Sequence, residues 1–117
     1  MSSISIGRYF ENIAALYLQR NRYLVLDHNY YSRYGELDLI AILENEYVFI
    51  EVKSIEESSD YSIYQALTKE KLRRVNRSAQ IWLRENNLQN KVYRIEFIGI
   101  INNPSKCYLE HFKYIEI

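Results

Sequence analysis

A chain of 117 residues that is 48% hydrophobic is long enough for one core and too apolar to stay disordered. Its 15 basic residues balance its 15 acidic ones, which excludes a protein that coats nucleic acid through bulk charge. Runs such as LIAIL and VFI are too short to cross a bilayer, the stretch around Arg8, Glu11 and Asn12 is a poor signal peptide, and the lone Cys107 excludes an internal disulfide or a cysteine metal cluster, so a cytoplasmic protein with no membrane partner is expected.

Ile6, Phe10, Ile13 and Tyr17 recur at helical spacing and predict a helix over about 4–21. At ~100° per residue, Arg8, Asn12, Ala15 and Gln19 share a mostly polar face. Glu11 falls outside it, among Gly7, Ala14 and Leu18, which turns its carboxylate toward the protein. YLVLDHNYY (23–31) reads as a strand, followed by a turn near Arg33 to Gly35. GELDLIAIL and YVFIEVK follow as β-rich runs joined through Glu44, Asn45 and Glu46. SIEESSDYS (54–62) reads as a polar loop. A second helix over about 63–86 carries an apolar stripe of Leu72, Val75, Ala79, Trp82 and Leu83, with Arg73, Arg77 and Arg84 opposite. KVYRIEFIGII and CYLEHFKYIEI close the chain as strands joined by a turn at 102–105. The order α-β-β-β-α-β-β predicts one α/β domain over 1–117, a mixed sheet flanked by helices.

Charge is uneven along that order. Eight basic residues lie between Lys69 and Arg94 against Glu70 and Glu85 only, while acids gather from Glu36 to Glu57. Alternation puts Glu51 and Lys53 on one strand face, and Glu36, Asp38 and Ile40 on one face of the strand before it. A loop made of Asn45 and Glu46 sets Asp38 opposite Lys53 and diagonal to Glu51; a three-residue loop sends them to opposite faces. In the first register two carboxylates and an ammonium converge inside apolar strands, where an unpaired charge is expensive. Oxygen ligands of this kind hold Mg²⁺ or Mn²⁺, and a lysine beside them stabilises a phosphoryl transition state. A solvated strand face with cross-strand ion pairs has the same spacing.

These residues carry a resemblance. Gly7, Glu11, Ala14, Leu18, Asn29, GELDLIA (35–41), FIEVK (49–53), Lys71 and the run from Arg94 to Phe97 together resemble the YraN family. These small bacterial proteins have the restriction-endonuclease-like PD-(D/E)xK fold, which is also that of archaeal Holliday-junction resolvases. The resemblance implies Asp38 and Glu51 as metal ligands, Lys53 as catalytic lysine and Glu11 as an auxiliary acid and ligand. It implies an endonuclease acting on nucleic acid, expected to be DNA in branched or structured form, or a non-catalytic nucleic-acid-binding module that retains the fold. The chain departs from the family pattern at Ser54-Ile55, where Thr-Arg is expected, at Glu96, where Asp is usual, and in a loop 56–62 without glycine.

Lys71 flanks the apolar stripe, either reaching the site or snorkelling past a core edge. Arg73, Arg77 and Arg84 are phosphate-contact candidates on a face that equally serves solubility. Tyr30, Tyr31 and Tyr34 stand near the first turn as stacking candidates. His28 and His111 lack metal-ligand spacing. Pairing with a second copy is left open.

Overall fold

The computed structural model describes residues 3–59, 62–113 and 115. Helix α1 (Ser3–Arg20) buries Phe10, Ala14 and Leu18, one turn apart, so its core stripe is rotated from the predicted one. Ile6 is exposed, and Ile13 and Tyr17 pack at the stripe's margin. The small Ala14 and Ala15 let the helix approach its sheet closely, and the rotation carries Glu11 to the edge of the contact.

Five strands follow: β1 (Leu24–Ser32), β2 (Gly35–Leu43), β3 (Glu46–Glu56), β4 (Tyr93–Asn102) and β5 (Cys107–Phe112). They lie side by side in chain order. All neighbours are antiparallel except β3 and β4, which run parallel. Parallel neighbours need a crossover, and helix α2 (Lys69–Glu85) supplies it. The result is an α/β protein with a five-stranded mixed sheet between two helices. α1 covers one face through Leu39, Ala41, Val48, Ile50, Ile98 and Ile100. α2 covers the other, with Leu72, Val75, Ala79, Trp82 and Leu83 on Ile40, Phe49 and Ile95.

Four local expectations change. The predicted helix over 63–86 is broken: Ile63–Ala66 is a 3-10 turn, and α2 starts only at Lys69. Two successive caps divide it. Ser62 and Gln65 form a reciprocal capping box, and the Thr68 hydroxyl accepts from Lys71 N–H at 3.1 Å; each satisfies donors that a helix start leaves open. Gly99 seats the turn, since a Cβ there would lie 2.3 Å from Ile63.

The β2–β3 loop is Glu44-Asn45, not Asn45-Glu46. Both have positive φ, 51° and 69°, as a tight two-residue hairpin turn demands, and Leu43 pairs with Glu46. β3 also runs on through Ser54, Ile55 and Glu56, read as loop in the sequence, because β4 continues beside it and supplies backbone partners. Of the polar loop, residues 60 and 61 lie outside the described residues. β5 ends at Phe112, short of the predicted strand, whose residues 114, 116 and 117 also lie outside them.

Candidate active site

The hairpin register decides which charges meet. The β2–β3 ladder is paired as far as Leu39 with Ile50, so the next residues along, Asp38 and Glu51, face each other directly. The sequence expectation had Asp38 across from Lys53; moving the loop by one residue shifts the register by two and preserves the shared face. Beyond that pair the Asp38 carboxylate takes over the ladder's role, accepting the Val52 N–H through Oδ2 at 2.8 Å. This bond fixes the side chain, and Asp38 is 8% exposed.

Glu51 lies beside it under α2, its side chain 13% exposed. Its Oε1 lies 3.1 Å from the Lys71 ammonium, which α2 presents from its first turn, where the Thr68 cap sets the helix start. Glu51 Oε2 is buried and has no hydrogen-bond donor. It stands within reach of Asp38, yet two ionised carboxylates offer each other only lone pairs. A bond between them forms when one carries a proton, and both groups respond accordingly. Burial, then the Asp38 charge, pushes Glu51 up to about 8, with Lys71 opposing. Burial also raises Asp38, against the Val52 N–H and the positive charges of Lys71 and Lys53.

A second pair of acids approaches Asp38. Carboxylate oxygens of Glu11, Glu36 and Asp38 lie within 4.8 Å of one another. Glu36 shares the Asp38 strand face by alternation. Glu11 arrives from α1 and is bonded to the Asn29 side chain, directly across from Asp38 on β1, where the backbone has φ 51°. Asn tolerates this left-handed conformation better than most residues. Burial and the charges of Asp38 and Glu36 raise Glu11 to about 7, and burial with Asp38 raises Glu36.

A cavity of about 200 Å³ opens above Asp38 and Glu51, walled by Glu36, Lys71, Arg74 and Ser78 and rimmed by Tyr34 and Gly35. Lys53 is not part of that wall. It is exposed and lines the neighbouring groove with Thr68, Glu70 and Lys71, close enough to act on Asp38 by charge alone. Arg77 and Arg84 line a groove on the far side of Tyr34, while Arg73 is exposed outside both. The structure therefore brings Glu51, Glu11 and Glu36 each beside Asp38, the last from the strand face that alternation indicates. It exchanges Lys53 for Lys71 as the ammonium that touches an acid.

The donor set suits a hard divalent cation. Glu11, Glu36 and Asp38 bring three carboxylate oxygens together, Glu51 beside Asp38 adds a buried oxygen without a donor, and among the described residues no cysteine or histidine joins the group. All-oxygen sites of two or three acids with room for waters match magnesium and manganese. A cation would also offset the burial and the neighbouring carboxylate charge that raise Glu11 and Glu51.

The profile of the uncharacterised protein family UPF0102 matches residues 10–100. A UPF0102 protein of Sulfurihydrogenibium sp. is 37% identical over 103 residues, spanning 88% of this chain and 90% of the relative. One from Vibrio parahaemolyticus is 36% identical over 100 residues, 85% and 83% of the two chains. One from Tropheryma whipplei is 41% identical over 114 residues, 96% and 93%. The chain belongs to the UPF0102 family.

Proposed function

We propose that this member of UPF0102 is a metal-dependent phosphodiester hydrolase, an endonuclease of restriction-endonuclease-like architecture acting on DNA. The observation that carries the reading is the buried, donorless Glu51 Oε2 beside Asp38. A purely structural carboxylate would be expected to have found a donor, since leaving one buried and unpaired costs stability. Asp38 and Glu51 would hold the cation, with Glu11 and Glu36 completing its acidic side. When bound, magnesium or manganese supplies charge against the phosphate oxygens and lowers the pKa of a coordinated water.

The chain's own groups do the rest. The Val52 N–H keeps Asp38 aimed into the cavity. Lys71, ion-paired to Glu51 at 3.1 Å, is placed to turn its remaining N–H groups toward a phosphate oxygen and to oppose the charge that develops on it. Lys53 at the rim adds positive potential along the path of the chain. Among the described residues no helix is long and apolar enough to cross a membrane, and the cavity opens on the protein surface.

Incubating the purified protein with labelled branched, single-stranded and duplex DNA tests this directly. Cleavage is expected only with Mg²⁺ or Mn²⁺, and Asp38→Ala is expected to lower it at least ~100-fold. Cleavage that survives the substitution would overturn the site. One observation favours a second reading, a non-catalytic nucleic-acid-binding module: Lys53 stands outside the cavity wall. That reading predicts salt-sensitive binding with no turnover on any of the three substrates.

A further inference from the structure

We propose that the groove beside the carboxylate cavity is a subsite for one unpaired nucleotide next to the reacting phosphodiester. The substrate class is then nucleic acid with a single-stranded end or branch, not continuous duplex. The inference rests on the phosphodiesterase reading and adds the form of the substrate.

The β1–β2 hairpin tip is only two residues, Arg33 and Tyr34, between the paired Ser32 and Gly35. It is pinned to α2. Ser32 Oγ lies 2.7 Å from Ser78 Oγ and accepts the Tyr34 N–H at 3.1 Å, and Ser78 is 1% exposed. Tyr34 is thereby held as the partition between two hollows. On one side is the carboxylate cavity, and on the other a groove of about 400 Å³ lined by Arg33, Arg77, Ile81 and Arg84. The guanidinium carbons of Arg33 and Arg77 lie 5.0 and 5.3 Å from the Tyr34 ring centroid.

Two features identify the occupant. First, Arg33, Arg77 and Arg84 have no ion-pair partner among the described residues, whereas Lys71 and Arg74 on the cavity side are matched by Glu51 and Glu70. Uncompensated positive charge thus begins where the acids end, which suits a phosphate following the one in the cavity. Second, the charge is built around an aromatic ring. Rings and guanidinium planes stack on base faces, and a base offers its face only when it is out of the helical stack. A continuous duplex offers none, and three arginines are few against the roughly 6–10 phosphate contacts of a typical duplex footprint. From Ser78 to Arg84 α2 advances roughly 9 Å, room for a nucleotide beyond the cavity.

The test is fluorescence anisotropy in EDTA, which prevents cleavage. The probes are a short blunt duplex, the same duplex with an unpaired tail, and the tail strand alone, each as DNA and as RNA. Wild type is expected to bind tailed probes of at least one of the two chemistries about 5- to 100-fold tighter than blunt duplex. Tyr34→Ala is expected to erase that preference and Tyr34→Phe to keep it, with unchanged thermal melting showing that both are folded. Arg77→Gln should lower the salt slope on the tail by about one. Equal affinity for blunt and tailed probes, or a preference untouched by Tyr34→Ala, would overturn the subsite. The phosphodiesterase reading would survive that result if metal-dependent cleavage still vanished in Asp38→Ala. No binding to any probe would overturn the subsite and leave the cleavage assay to judge the reading it rests on.

Discussion

Two glutamates on neighbouring strands show how one chemistry is used in opposite ways. Glu51 pairs in register with Phe97, and Glu96 with Ile50, so the two are one strand and one residue apart. Alternation sends Glu51 toward α2 and Glu96 toward α1. Glu96 is wholly buried and fully satisfied. Tyr23 donates to Oε1 at 2.7 Å, His111 Nε2 lies 2.7 Å from the same oxygen, and Arg94 donates to Oε2 at 2.7 Å. Tyr17 braces the imidazole from behind and Glu46 pairs with Arg94. Burial alone would raise Glu96, but bonds from His111, Arg94 and Tyr23 outweigh it and hold the group below its ordinary value. Glu51 has one ion pair, one empty oxygen and a raised value. A buried acid surrounded by donors is part of the fold; Glu51, between Asp38 and Lys71 with one buried oxygen unsatisfied, is the acid for which we propose a cation.

Removing each acid should therefore have opposite consequences, and the larger belongs to Glu96. Glu96→Ala removes the shared acceptor of Tyr23, His111 and Arg94 from the buried end of the network, leaving His111 with Tyr17 and the part-exposed Arg94 with Glu46. Breaking such a buried network typically costs about 3–5 kcal/mol, so urea unfolding should show a midpoint far below wild type. Its contribution is present above the ordinary carboxylate range and is lost as pH falls through the lowered value. A variant as stable as wild type would show that the network is not structural, and the contrast with Glu51 would collapse.

Glu51→Gln should move stability the other way. Because the folded value of about 8 lies above the ordinary 4.5, the stability linked to Glu51 is fully present below 4.5 and disappears as pH rises through 8. Glu11, raised to about 7, acts in the same direction. Without metal, wild type should therefore melt at a lower temperature at pH 8 than at pH 5.5. Glutamine avoids the charge, and its amide can donate to Asp38 while its carbonyl accepts from Lys71. The variant is expected to gain roughly 3–8 °C in Tm at pH 8, and little at pH 5.5. It should also lack the thermal shift that Mn²⁺ is expected to produce in wild type. A Gln variant less stable than wild type at pH 8 would mean that the Glu51 carboxylate is ionised and content, and the metal-site argument would fail with it.

The difference between the two acids was only partly legible in the sequence. Period-two alternation gave Asp38, Glu51 and Glu36 correct faces, and helical spacing turned Glu11 inward. These are local signals, and they were sufficient to assemble most of the acidic side. The register was not local. It depended on whether Glu44 or Glu46 belonged to the turn, and positive φ at both Glu44 and Asn45 cannot be read from a glutamate. Spacing left Lys71 either reaching the site or snorkelling past the core edge, and only the tertiary ion pair with Glu51 decides between them. The Glu96 network was invisible for a different reason. Its members come from the residue before β1, from β3, β4 and β5, and from α1, and no spacing rule relates elements so far apart in the chain.

Lys71 offers the finest test, since it is the one cation that makes the Glu51 site resemble the Glu96 site at all. Its side chain is 33% exposed, and partly solvated pairs contribute little to stability. Lys71→Met should therefore leave the unfolding midpoint nearly unchanged, with the methionine stem still lying along the edge of α2's apolar stripe. Its effect should appear in the pH dependence of metal binding. Cation binding requires Glu51 to lose its proton, and the Lys71 charge is what favours that loss against burial and Asp38. Without it, the midpoint of the Mn²⁺ thermal shift, followed across pH, should move upward. Lys53→Met should move it less, because that ammonium is at the rim and acts on Asp38 only by charge. If the order were reversed, with Lys53→Met giving the larger displacement, the strand lysine would regain the place beside the acids that its Glu-x-Lys spacing suggested, and Lys71 would be left as a helix-edge residue.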